Sequence, residues 1–397
     1  MKLTEETPFF FIYSVWTKNG EYREQVKRLV TDYDNYISLK LAGDDAYLSE
    51  KMVGYPAELD EVYAESFEEQ KKEWFSCVGD GIQECRNTWE HKKWNITDFP
   101  EFELAITIDR PELYYDFLQK DWTRFCHDYW KNNFLEHHTL SQKRVTRIYI
   151  GNQFCHNLFP KKKLLFQVLE KALENNLAVT LAFSYIRNHL LEEIDELLQE
   201  LEVWCQSREK EAGKDQEEII VNDWAMPILL QGKPHLKPVL GVLLNKRRKD
   251  VRLPYKHGIG NHVDSLAENN LNCGFYQDYL KNTFDIQRFE FESCGYKVTI
   301  PDGHHSLHLP FFQTNTSQYC TLYAVCRYGD REKQKLPENC PKYCEQKVFL
   351  YPKHLKMVGR YNSLFGYDEK ILWDEKQLQD YLCLLYTSDA ADDTPCV

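Results

Sequence analysis

The chain has 397 residues, of which 43% are hydrophobic, 28% charged and 14% aromatic, and its formal net charge is −13. This apolar and aromatic content is enough for one large core or two smaller ones, and it excludes global disorder. The acidic balance excludes generic duplex DNA binding, which depends on phosphate neutralisation, and no run approaches the ~20 apolar residues of a membrane-spanning helix.

In chain order, residues 9–16 read as a buried strand. Glu5 and Glu6 precede it where a secretory signal carries basic charge, so a cytoplasmic location is expected. In such a reducing compartment the 13 cysteines are buried hydrophobes, nucleophiles or metal ligands rather than disulfides. Residues 59–74 have the spacing of an exposed amphipathic helix, and residues 102–108 alternate like a strand. Pro111 then opens a helical run through Trp130, at a position where its missing N–H costs little. The pair His137 and His138 reads as loop. Together, residues 1–143 form an N-terminal α+β region without a chemical motif.

After residue 143 the rhythm changes to short apolar runs alternating with helical periodicity. Strands are expected at 145–151, 178–185, 218–223, 238–244 and 288–292, and later at 306–312 and 347–351. This pattern specifies βαβ units and a parallel sheet. The expected fold class is therefore α/β, a TIM-like (β/α) barrel over residues 144–382. Seven strands fall one short of the closed eight, and the helix at 374–382 stands where the missing last strand would follow it, so the barrel is expected to be truncated there. An open doubly wound sheet is the alternative, but no glycine-rich phosphate turn follows any strand.

The sharpest motif is Cys320-x5-Cys326-x13-Cys340-x3-Cys344. Four thiols within 25 residues can converge on one centre, and thiolates suit iron–sulfur clusters and zinc. Structural zinc favours the tighter C-x2-C knuckle, so these gaps lean towards iron–sulfur; four unrelated cytoplasmic cysteines are the bland alternative.

Barrel site residues belong at the carboxyl ends of strands. Asn222 and Asp223 are the candidate catalytic pair there, although capping the next helix is the commoner use of such residues. Asn152, Gln153, Ser184, Tyr185, Glu290 and Glu292 occupy comparable positions. The segment Asn245, Lys246, Arg247 and Arg248 is the candidate substrate-binding loop, able to grip phosphate or RNA backbone or simply to be solvated. Lys161, Lys162 and Lys163 open a helix against its dipole, as they would if an anion sat there. The group His304, His305 and His308 reads as turn histidines. Cys155 and His156, being adjacent, face apart and make no dyad.

The cysteine pattern resembles the collagenase-like peptidase family (peptidase family U thirty-two). So do residues 219–224 (Ile-Ile-Val-Asn-Asp-Trp), 239–248 (Val-Leu-Gly-Val-Leu-Leu-Asn-Lys-Arg-Arg) and 306–310 (Ser-Leu-His-Leu-Pro). The resemblance covers roughly residues 145–382. It implies a barrel in which Cys320, Cys326, Cys340 and Cys344 bind a [4Fe–4S] cluster, with zinc or no metal as alternatives. It also implies peptidase activity, or support of hydroxylation of an RNA base or small aromatic substrate. A non-catalytic accessory protein that binds peptide or RNA, with a partner subunit, is the second reading, and a true peptidase the third. The gap of five between the first two cysteines and the lack of surrounding glycines depart from the family pattern.

Residues 383–397 resemble a conceptual translation of a sequencing adapter, so the natural chain is expected to continue differently beyond Leu382. That tail carries Asp389, Asp392 and Asp393 and no basic residue.

Overall fold

The computed structural model describes residues 99–386 apart from 134, 213–216, 248, 250–266, 297, 330–332, 334, 338, 346, 351–356, 369 and 373. Before residue 99 it describes 2–6, 11–14, 17–22, 25, 39–42 and 48–53. The chain divides into two units, one of residues 1–62 with 250–265 and one of 63–249 with 266–397. In the first, Lys2–Glu6 pairs antiparallel with Phe11–Ser14, and Leu39–Ala42 pairs antiparallel with Leu48–Val53. The helix expected at 59–74 lies outside the described residues.

The second unit is built on seven parallel strands: β1 (Leu104–Ile108), β2 (Val145–Gly151), β3 (Ala178–Ala182), β4 (Glu217–Val221), β5 (Leu236–Leu240), β6 (Arg288–Glu292) and β7 (Ser306–His308). Their order in the sheet is strictly sequential. A doubly wound sheet reverses its order at a switch point; this one never does, which removes that alternative.

The sheet is curled. On a flat sheet β2 and β6 would lie four strand spacings apart, roughly 19 Å. Instead the Tyr149 hydroxyl on β2 donates to Glu290 Oε1 on β6 at 2.9 Å. The result is a half-barrel, compatible with a partial TIM-like barrel.

Strand alternation separates the two faces. Ile148, Ile150, Ile219 and Val221 are fully buried on one face. Tyr149, Ala182, Ile220 and Val239, with Ala105 beside them, cluster on the other, inside the curl. Helices follow the strands: α1 (Pro111–Gln119), α2 (Trp122–Asn132), α3 (Lys162–Glu174), α4 (Leu191–Ala212), α5 (Ala225–Leu229) and α6 (Gly274–Phe284). In α3, Leu165, Val168, Leu169 and Ala172 are buried at helical spacing, which gives one apolar stripe. The helical run after Pro111 is two helices, because Asp121 accepts from the Arg124 amide and starts α2 afresh.

A second, antiparallel sheet follows, made of β8 (Phe311–Thr316), β9 (Phe349–Leu350), β10 (Met357–Arg360) and β11 (Ser363–Tyr367) in the order β8-β11-β10-β9. It is joined by α7 (Thr321–Tyr328) and α8 (Glu375–Tyr386).

Four expectations change. The strand at residues 102–108, read as part of an N-terminal region, is β1 of the parallel sheet, so the sheet begins ahead of residue 143. The run at 306–312 divides between β7 and β8, with a cis Leu309–Pro310 peptide between them. The strand expected at 347–351 belongs to the antiparallel sheet, because Phe349 and Leu350 pair with Gly359 and Val358. The terminal helix runs to Tyr386, past Leu382 and into the segment read as adapter-derived.

Candidate functional site

The inner face of the half-barrel is unusually polar at its lower end. Arg147 on β2 binds Glu218 on β4 at 2.8 Å and Glu103 at 2.8 Å, Arg288 on β6 meets the same Glu218, and Thr180 on β3 donates to Glu218 at 2.7 Å. Alternate strands supplying one layer of side chains is how a (β/α) barrel fills its interior.

One level higher, Tyr149, Glu290 and Ser306 meet. The Tyr149 oxygen is 2.9 Å from both Glu290 Oε1 and Ser306 Oγ, and Arg288 Nη2 is 2.6 Å from Ser306 Oγ. Glu290 is fully buried, and its second oxygen is hydrogen-bonded to His308 Nε2 on β7. Burial would raise the Glu290 carboxyl, but His308, Arg288 and the Tyr149 hydroxyl hold it below the usual range. The burial that would lower His308 is outweighed by the Glu290 charge and hydrogen bond, so its pKa is raised.

Above this level the interior side chains are small. Gly151 and Ala182 line a cavity of about 160 Å³ at the carboxyl ends of the strands. Asp109, Gln153, Glu292 and His308 supply its polar wall, and Phe154, Phe311 and Phe365 its apolar wall. Gly151 has φ +113°, and a Cβ there would meet the Ala182 carbonyl and the Phe159 ring, so glycine is required at this strand end. Two carboxylates at the mouth already have counter-ions: Asp109 pairs with Arg110 at 3.1 Å and Glu292 with Lys249 at 2.6 Å. Tyr361 also donates to Asp109.

The expected catalytic residues serve the backbone. Asp223 Oδ1 accepts from the amides of Ala225 (3.1 Å) and Met226 (3.0 Å), starting α5, while Oδ2 accepts from the Ile186 amide. Asn222 donates to the Phe183 carbonyl at 2.7 Å and to Gln153 Oε1 at 3.3 Å, and accepts from the Leu243 amide at 3.1 Å. Both side chains tie strand-end loops together. The expected substrate loop is mostly turned inward. Asn245 is buried and donates to the Glu290 carbonyl at 3.0 Å, and Arg247 reaches the Glu292 carbonyl at 2.5 Å. Lys246 is exposed, and Arg248 lies outside the described residues. Lys162 pairs with Glu200 at 2.6 Å.

The histidines divide. His308 faces the cavity, while His305 stacks on Phe289 at 4.8 Å, and burial pulls it down to about 4. His138, read as loop, is a buried tie: its Nε2 is 2.7 Å from the Leu372 carbonyl and its Nδ1 accepts from the Leu140 amide at 3.1 Å. The orientation of His308 comes from strand pairing. On β7 it pairs in register with Glu292, two residues beyond Glu290, so the same alternation puts all three on the inner face.

The cysteines regroup as well. Cys320 starts α7, its sulfur accepting from the Tyr323 amide at 3.3 Å and donating to the Tyr361 carbonyl at 3.0 Å. Cys326 lies six positions on, roughly 9 Å further along the axis of the helix that Cys320 caps. Its near charge is Lys347 rather than another thiol. Cys155 takes its place beside the others. Asn152 Oδ1 accepts from the amides of Phe154 and Cys155, both at 2.9 Å, and so turns the chain after β2 to deliver this thiol. Cys344 feels the charge of Cys155, Cys320 and Cys340, Cys320 that of Cys155 and Cys340, and Cys155 that of Cys340. Burial, reinforced by that neighbourhood, pushes Cys320 and Cys344 up to about 12 and Cys155 up to about 11.

This group adjoins the cavity. Phe154 and Phe365, in edge contact at 4.8 Å, are both cavity wall and part of an apolar cluster that contains Cys344 and has Cys155, Cys320 and Cys326 packed against it. Among the described residues, no three His, Cys, Asp or Glu side chains stand as a ready site for a metal ion, and no helix is long and apolar enough to cross a membrane. No family model, curated protein or solved structure matches the chain.

Proposed function

We propose that the chain is an enzyme or enzyme subunit of the collagenase-like peptidase kind. It uses a TIM-like barrel with a thiol-ligated [4Fe–4S] cluster beside the strand-end cavity to modify an RNA base or small aromatic substrate. The observation that carries this reading is the neighbourhood of four thiols behind the Phe154–Phe365 wall. Their chemistry fits such a cluster, since soft sulfur ligands select iron–sulfur centres. Cys155, Cys320, Cys340 and Cys344 would hold it, with Cys155 replacing the Cys326 of the sequence motif. Cys155, Cys320 and Cys344 resist ionisation on their own, and the positive charge of bound metal is what would make thiolates favourable there.

The test is anaerobic preparation followed by iron and sulfide analysis. Iron and sulfide are expected together, lost in Cys155→Ala and retained in Cys326→Ala. The opposite pattern in the two variants restores the sequence motif as the ligand set, and zinc or no metal in the parent protein removes the proposal. One observation favours a non-catalytic accessory role in binding peptide or RNA: Asn222 and Asp223 have their side chains committed to the backbone. Unchanged RNA binding on removal of Arg247 and Arg248 would end the RNA form of that role.

A further inference from the structure

The cavity wall holds a histidine–carboxylate pair apart from the thiols. His308 Nε2 is engaged by the fully buried Glu290, whose other oxygen is held by Tyr149. The other ring nitrogen, Nδ1, makes no hydrogen bond among the described residues, and the His308 side chain is 26% exposed in the cavity wall. One nitrogen leans on a carboxylate and the other is free. In that arrangement a carboxylate fixes the tautomer of a catalytic histidine and stabilises the imidazolium that forms.

The surroundings leave this pair as the one able to respond to a ligand. The groups facing it are Glu290, Glu292 and Arg288 from β6 and Tyr149 from β2, with Asp109 across the cavity. Glu292 is neutralised by Lys249, Asp109 by Arg110, and Arg288 is shared with Glu218. The cavity volume, about 160 Å³, is close to the roughly 150 Å³ that admits one benzene ring. Phe154, Phe311 and Phe365 offer faces and edges for such a ring.

We propose that this cavity binds a single aromatic or heteroaromatic ring carrying an ionisable O–H or N–H, and that His308 takes its proton through Nδ1. The ligand O–H or N–H bond breaks and an Nδ1–H bond forms. The electron pair stays on the ligand heteroatom, and Glu290 balances the imidazolium. The inference rests on the barrel mouth being the working site, but not on the thiols carrying iron.

The experiment uses the full chain, freed of metal by a chelator, and 4-nitrophenol, which is yellow as the phenolate and colourless as the phenol. Absorbance of the bound probe is followed against pH. The bound probe is expected to ionise at least ~10-fold more readily than in solution, a shift of about one pH unit. His308→Gln should abolish the shift, and His137→Gln, at an exposed position, should preserve it. A wild-type protein that leaves the probe behaving as in solution overturns the proposal, and this arm needs no variant to fold. So does a folded His308→Gln protein that keeps the shift. Iron content is read separately, so failure of the cluster and failure of the proton acceptor are distinguishable.

Discussion

His138 is buried and neutral, and acidification should therefore destabilise the fold through this one residue. Its hydrogen bonds use both ring nitrogens in the neutral form: Nε2–H donates to the Leu372 carbonyl, and Nδ1 accepts from the Leu140 amide. Burial pulls its pKa down to about 4 from the ordinary 6.5. Protonation would also set Nδ1–H against the Leu140 N–H, donor facing donor. Because the folded pKa is depressed, the stability from this residue is complete above pH 6.5 and is lost as the pH falls towards 4. Linkage gives about 2 kcal/mol lost by pH 5 and about 3 kcal/mol by pH 4. That is a large share of a typical ~5–15 kcal/mol total. Urea unfolding of wild type and His138→Asn across pH 7.5 to 4 isolates the effect from the other titrating groups. Asparagine keeps an acceptor for the Leu140 amide but cannot charge, so the variant should start about 1–3 kcal/mol less stable and lose less on acidification. Equal losses in both proteins would refute the assignment.

Three further outcomes follow from the same geometry. Breaking the buried Lys249–Glu292 pair with Lys249→Met should cost about 3–5 kcal/mol, and adding Glu292→Gln should recover much of it, because the penalty is the stranded charge; chemical denaturation of the three proteins reads this. Asp223→Ala should destabilise by about 1–2 kcal/mol through loss of the α5 cap, measured as a lower melting temperature; a larger loss confined to activity would return Asp223 to chemistry. In metal-free native protein near neutral pH, iodoacetamide should modify the exposed Cys273 well before Cys155 and Cys320, which are half-buried, or Cys344, which is buried, because all three thiols are raised. Peptide mass spectrometry reports the order.

The parallel architecture was legible because short apolar runs and amphipathic helices alternate with little interruption after residue 143. β1 escaped because Pro111–Asn132 reads as a free-standing helical region and nothing local says that Leu104–Ile108 pairs with β2. The four-cysteine motif names residues from one stretch of sequence, and spacing alone cannot reveal that Cys155 comes close to Cys340. Cys326 follows Cys320 by six positions and packs on the same apolar cluster with Lys347 as its near charge, while Cys155 arrives from 165 positions upstream. Asn222 and Asp223 sit where barrel chemistry is expected, yet loop closure uses the same residue types. His308 was masked by its neighbours: beside His304, His305 and Asp302-Gly303 it looks like turn composition, and only strand pairing shows which way it faces.

The interior of the half-barrel also bears on how divisible the fold is. Neighbouring strands are neighbours in sequence, which invites the idea that the sheet could be cut into independently folding fragments. The polar core argues otherwise, because Tyr149 and Glu290 are 141 positions apart and Arg147 and Glu218 are 71 apart. A fragment ending after β5 would keep the Arg147–Glu218 pair but lose Arg288, Glu290 and Ser306, leaving the Tyr149 hydroxyl without either of its partners. Local pairing thus builds the sheet in steps, while the polar groups inside it tie β2 to β4, β6 and β7.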